Sequence, residues 1–195
     1  MNKTYQQFLK ENSGKTAVYT FGRFNPPTIG HEKLLRVIQT TSSNEGGDYF
    51  IYTSHSQDSK KNPLTHKQTI HFLKLIFPKH RPYVEDSLAK TALHAASDIY
   101  DKGGYTKLMM VVGSDRVRDF SALLNRYNDS KSKHGYYNFD SIEVVSAGER
   151  DPDAEGAEGM SASKMRQAVV DGDYDTFKMG VPAGTSDSIC LNLYN

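Results

Sequence analysis

The sequence predicts an α/β protein, a three-layer sandwich in which a five-stranded parallel sheet has helices on both faces. Three observations predict it. Short segments rich in β-branched and aromatic residues alternate with segments of helical spacing along most of the chain. Lys107–Val112 (KLMMVV) is a nearly unbroken apolar run of strand length, the mark of a strand covered on both faces. Glycine, proline and polar stretches punctuate these segments at intervals that suit repeated βα units.

The elements follow in order. Lys3–Glu11 has Tyr5, Phe8 and Leu9 on one face and is expected to be a short amphipathic helix. Thr16–Phe21 reads as the first strand, ending at Gly22. Pro26-Pro27 forbids regular structure until Thr28, after which His31–Thr40 has helical spacing through Leu34, Leu35 and Ile38. Asp48–Thr53 is the second strand, and Leu64 or Thr65 opens a helix that buries Ile70, Phe72, Leu73 and Ile76. Pro82–Glu85 is read as a weak third strand. Lys90–Tyr100 is a helix stopped by Gly103-Gly104, and Lys107–Val112 is the fourth strand. A helix is expected from Asp115 to about Tyr127, and Ser141–Val145 supplies the fifth strand. Gly148–Gly159 reads as a mobile loop, Ser161–Val170 as a helix capped by Ser161, and Pro182–Asn195 as an irregular or briefly helical tail. Residues 1–195 are expected to form a single domain, with a core over 16–180 and the tail at 182–195.

Composition narrows the function classes. The chain has 24 basic and 23 acidic residues and a net charge of +1, so no global field draws it to nucleic acid or membrane. Basic groups focused at one site would still accommodate a polyanionic small molecule. Cys190 is the only cysteine, which rules out an intrachain disulfide and a cysteine-built metal site and suits a reducing compartment. Met1–Lys10 is too polar for a signal peptide, and no apolar run approaches the length of a membrane span. A soluble, cytoplasmic protein is expected.

The chemistry is concentrated where the first strand hands over to its helix, the place where open parallel sheets bind ligands. Gly22 lets the backbone approach a ligand, Arg23 offers a forked cation, and the two prolines stiffen the turn. Gly30 opens the helix and His31 sits in its first turn, where unpaired amide groups favour phosphate.

Thr28-Ile29-Gly30-His31 resembles the (H/T)xGH signature of the nucleotidyltransferase superfamily. That superfamily includes the nicotinamide mononucleotide, pantetheine phosphate and FMN adenylyltransferases and the cytidylyltransferases. The longer string GRFNPPTIGH is similar to GRFQPFHxGH of archaeal-type nicotinamide mononucleotide adenylyltransferases, with Thr28 as the departure at the first motif position. Met160-Ser161-Ala162-Ser163-Lys164-Met165-Arg166 matches the second motif, ISxTxxR, at the start of a late helix. Val111–Asp115 resembles the GxD turn placed against the nucleotide; Asp115 reads equally as a ribose contact or as a plain helix cap. Ser54–Thr65 loosely resembles the segment ending in NPFT of the archaeal-type enzymes.

The resemblance implies a Rossmann-like fold and in-line attack by an acceptor on the α-phosphorus of a nucleoside triphosphate, with release of pyrophosphate. AMP from ATP would be transferred to a small phosphorylated acceptor such as nicotinamide mononucleotide. His31, Thr28 and Arg166 are the implied catalytic residues. Phe21, Gly22, Arg23, Phe24, Gly30, His31, Gly113, Asp115, Met160, Ser161, Ser163 and Arg166 are the implied nucleotide contacts. Arg166 and the two serines would hold the β,γ-phosphates, and Arg23 the incoming phosphate or the triphosphate. Ser54, His55, Lys60, Lys61 and Asn62 are candidate contacts for acceptor or phosphate, although two exposed lysines are also what a solvated loop presents. Mg²⁺ is expected to arrive on the substrate phosphates, with no protein metal site. Other transfers within the superfamily, cytidylyl transfer among them, and a nucleotide-binding module without catalysis remain alternatives. Homo-oligomerisation is left open. The acidic stretch Glu149–Glu158 reads as a lid over the triphosphate, a partner contact or a plain connection.

Overall fold

The computed structural model describes residues 14–148 and 159–195. The helix expected at Lys3–Glu11 and the acidic stretch Glu149–Glu158 lie outside the described residues. Four strands, β1 (Lys15–Gly22), β2 (Asp48–Thr53), β3 (Tyr105–Val112) and β4 (Ser141–Ser146), form one sheet in the order β2-β1-β3-β4. Every pairing is parallel, and β1 is in register with β2 from Ala17 opposite Asp48 to Gly22 opposite Thr53. All four carboxyl ends therefore reach one edge of the sheet, which is where ligand-binding loops of such sheets collect.

Seven α-helices are seen among the described residues: α1 (Ile29–Glu45), α2 (His66–Ile76), α3 (Ala92–Lys102), α4 (Val117–Tyr127), α5 (Ala162–Asp171), α6 (Tyr174–Met179) and α7 (Asp187–Tyr194). The strands sort their side chains by alternation. Val18, Ile51, Met109 and Val111 face a core filled by Leu35 and Ile38 of α1, Ile70, Leu73 and Ile76 of α2 and Met165 of α5. Ala17, Tyr19, Leu108 and Met110 face a second core with Ala95, Ala96 and Ile99 of α3 and Leu124 of α4. Two cores on the two faces of one sheet make the three layers.

The strand expected at Pro82–Glu85 does not form. Pro78–Tyr83 winds as a 3₁₀ helix with Pro82 inside it. A proline has no N–H for a strand ladder, and its fixed φ suits the tighter helix. What survives of the expectation is one parallel bridge, Val84 with Ile51, and the Glu85 amide donating to the Ile51 carbonyl at 2.9 Å.

Helix boundaries follow their caps. Thr65 caps α2: its Oγ1 accepts from the Gln68 amide at 3.2 Å, and Gln68 Oε1 accepts from the Thr65 amide at 2.9 Å. Helix α1 runs past Thr40 to Glu45 and stops at Gly46, whose φ of 61° is the left-handed conformation glycine tolerates. The segment after Val170 is more helical than its polarity suggests, because α6 and α7 bury Phe177, Cys190 and Leu193 against α5 and α2.

Candidate functional site

At the carboxyl edge, the loops after β1, β2 and β3 and the start of α5 enclose a cavity of about 420 Å³. Of the predicted site residues, Phe21, Gly22, Arg23, Phe24, His31, Lys61, Asn62, Gly113, Asp115, Ser161, Ser163 and Arg166 line it. The segments that the sequence pairs from opposite ends of the chain thus meet in one space.

The turn after β1 is built around a ring. A Cβ on Gly22 would lie 2.9 Å from Cε2 of Phe24, so glycine lets the Phe24 ring fold back over the strand end. Phe24 has a positive φ of 48° and is 1% exposed; its ring packs on His31 with centroids 4.7 Å apart. Asn25 ties this turn to the loop after β2. Its Nδ2 donates to the Leu64 carbonyl at 2.8 Å, and its Oδ1 accepts from the Leu64 amide at 3.0 Å.

His31 is oriented by Thr28. The Thr28 amide donates to His31 Nδ1 at 2.9 Å, and Thr28 Oγ1 lies 3.0 Å from the same nitrogen. An Nδ1 that accepts an N–H carries no proton, so the neutral ring holds its proton on Nε2. Thr28 is buried and does not line the cavity; it acts on His31. The expectation of open amides at this helix start needs correction. The Thr28 amide is taken by His31, the Ile29 amide by the Gly180 carbonyl at 2.8 Å, and the His31 amide by the Thr28 carbonyl at 2.9 Å. Those three donors are occupied, so a polyanion here also draws on positive charge from side chains.

Arg166 supplies it. Its Nη1 donates to the Asn25 carbonyl at 2.7 Å and its Nη2 to Ser163 Oγ at 2.9 Å. Burial and the neighbouring Arg23 charge push the Arg166 guanidinium below its ordinary value, while Asp58 opposes them. Two guanidinium groups facing one cavity favour a polyanion between them. Ser161 caps α5 through its Oγ, which accepts from the Lys164 amide at 3.2 Å.

The loop after β2 is shaped by Asp58. Its Oδ1 accepts from the amides of Lys60 and Lys61 at 3.0 and 2.6 Å, and its Oδ2 accepts from Asn62 Nδ2 at 2.6 Å. Those bonds, led by the one from Lys61, hold the Asp58 carboxyl below its usual range. They turn Lys61 and Asn62 to the cavity and leave Lys60 exposed outside its lining.

Met160, Gly30, Ser54 and His55 do not line the cavity. Met160 is buried in the core, and a Cβ on Gly30 would stand in ordinary contact, 3.5 Å from Thr28 Oγ1. Ser54 donates its amide to the Gly22 carbonyl at 2.8 Å, and its Oγ is buried without a hydrogen-bond partner. His55 stacks on His66 with centroids 3.7 Å apart, and its Nε2 lies 2.9 Å from the Ser87 carbonyl. Asp115 caps neither the 3₁₀ turn Ser114–Arg116 nor α4; its Oδ1 folds over Gly113, 2.8 Å from where a Cβ would stand.

Thr20, Asn25, Leu34, Val112, Arg116, Phe120 and Ala162 also line the cavity and were not singled out from sequence. Asn25, Val112 and Ala162 stand inside the quoted motif segments, and Leu34 follows His31 by one helical turn. Among the described residues, no group of three or more His, Cys, Asp or Glu side chains could hold a metal ion. None of their helices is long and apolar enough to cross a membrane.

Among curated proteins none matches the chain. A family model described as cytidylyltransferase-like matches residues 19–168, a span that holds the cavity's lining from Thr20 to Arg166. The chain therefore belongs to the cytidylyltransferase-like family, and that membership supports nucleotidyl transfer from a nucleoside triphosphate as its general activity.

Proposed function

We propose that the chain transfers AMP from ATP to a small phosphorylated acceptor such as nicotinamide mononucleotide, releasing pyrophosphate. The observation that carries this reading is the junction of the two motif segments at the Arg166–Asn25 hydrogen bond, which sets Arg166 and Arg23 in one cavity with His31. An acceptor phosphate oxygen attacks the α-phosphorus, a new P–O bond forms, and the α–β bridging bond breaks to release pyrophosphate. The attacking phosphate is already ionised, so no general base is needed.

The chain's residues position the reactants and offset charge. His31 donates from Nε2 to an α-phosphate oxygen as charge builds there, and Thr28 holds the ring in that tautomer. Arg166, Arg23, Ser161 and Ser163 take the β,γ-phosphates, with Lys61 reaching from the loop after β2. The divalent cation enters as part of the magnesium–triphosphate substrate.

The family's description favours a second reading, cytidylyl transfer from CTP. Pyrophosphate release is to be measured with ATP and CTP against nicotinamide mononucleotide, FMN, phosphopantetheine and a sugar phosphate. Release with ATP and nicotinamide mononucleotide is the expected result. Release with CTP alone moves the assignment to cytidylyl transfer. Triphosphate binding with no turnover on any acceptor makes the chain a nucleotide-binding module and sinks the enzymatic reading.

A further inference from the structure

The cavity has a second cationic end. Arg116 and Phe120 enter it from the segment after β3, and the Arg116 guanidinium carbon lies 5.3 Å from the Phe120 ring centroid. The strand order separates this end from the first. Lys61 follows β2 on one side of β1, whereas Arg116 follows β3 on the other. Arg166 belongs with the β2 side: it bonds Asn25, Asn25 grips Leu64, and Arg166 feels the charges of Arg23 and Asp58.

In-line displacement requires the entering oxygen and the departing pyrophosphate on opposite sides of the α-phosphorus. With the β,γ-phosphates drawn toward Arg23 and Arg166, the entering group must approach from the β3 side. There the cationic side chain lining the cavity is Arg116. We propose that Arg116, braced on Phe120, is the specificity-determining residue that takes the acceptor's phosphate, an assignment that rests on the transfer reaction proposed above. A guanidinium lying over a ring is held in place while its N–H groups stay free to fork onto phosphate oxygens.

The test uses the full chain with the magnesium complex of α,β-methylene-ATP, followed by titration of nicotinamide mononucleotide and nicotinamide riboside, which differ only by the phosphate. Arg116→Gln is expected to bind the analogue within about twofold of wild type and to lose about tenfold or more in mononucleotide affinity. Its preference for mononucleotide over riboside should collapse. Arg116→Lys should restore part of that preference, and Phe120→Leu should lower it by a smaller factor. Parallel weakening of analogue and mononucleotide would place Arg116 on the triphosphate substrate and overturn the proposal. An unchanged mononucleotide-to-riboside ratio would overturn it as well. Where wild type binds the analogue but neither member of this pair, FMN with riboflavin and phosphopantetheine with pantetheine take their place. No phosphate preference in any pair overturns the acceptor site while the nucleotide reading stands. Failure of wild type to bind the analogue overturns the nucleotide reading itself, and this proposal with it.

Discussion

Arg166 and Asn25, 141 positions apart in the chain, are joined by a 2.7 Å hydrogen bond from Nη1 to the backbone carbonyl. The same guanidinium reaches Ser163 through Nη2, so its plane is fixed by two acceptors before any ligand arrives. A fork held in this way loses little freedom when it meets a phosphate.

Arg166→Ala should therefore weaken binding of a non-hydrolysable triphosphate by roughly 10- to 100-fold, the scale of a charge-assisted hydrogen bond. Arg166→Lys keeps the charge but cannot reach both acceptors, and should recover only a minor part. Calorimetric titration of both variants checks this; full recovery by lysine would show that point charge alone is used.

His31→Ala should cut kcat by about 10²-fold or more, as expected for loss of a donor to the charged transition state. Thr28→Val keeps the backbone N–H that fixes the ring, and should cost under about tenfold. A Thr28→Val defect as large as that of His31→Ala, with the fold intact by circular dichroism, would mean that the threonine hydroxyl itself meets substrate.

Asn25→Ala removes both bonds to Leu64 and opens a buried polar gap. Two part-buried hydrogen bonds at about 1 kcal/mol each, with the Leu64 groups partly open to water, predict a loss of about 1–3 kcal/mol. Urea unfolding at fixed pH measures it. A loss below about 0.5 kcal/mol would show that the turn after β1 holds its place without this bridge.

Stability should fall as the medium is acidified below neutrality. Burial pushes the His66 and His80 imidazoles below their ordinary value of 6.5, with His55 adding to the shift at His66 and Lys79 at His80. The unfolded chain takes up protons near that ordinary value while the folded chain still refuses them. The stabilisation is complete above about pH 6.5 and is lost as pH drops through that value toward the lower folded values. Thermal unfolding from pH 7.5 to 5 should show this slope, and His80→Gln should flatten part of it. An unchanged slope in that variant would remove His80 from the account.

Much of the fold was legible because its signals are local. Alternation and apolar runs marked β1, β2, β3 and β4, and Thr65 and Ser161 open helices by their own side-chain chemistry. Pro82–Glu85 misled because Val84 and Glu85 do have strand character, yet Pro82 leaves only a single bridge to be made. At the site, residue types named the cavity's floor, but relations across the chain were hidden. Nothing near Asn25 announces its grip on Leu64, and nothing near Thr28 shows that it serves His31. Arg116 carries no signal of its own beside Asp115, because its place at the cavity follows from the strand order and from the Phe120 ring beneath it.

The bond from the Ile29 amide to the Gly180 carbonyl has a bearing on where this protein's functional unit ends. The family match stops at residue 168, twelve positions short of that carbonyl. The turn that aims His31 is moored to a helix end outside the shared segment. Kinship and mechanical completeness therefore have different borders here, and a fragment trimmed to the first would cast off an anchor line of the turn that holds His31.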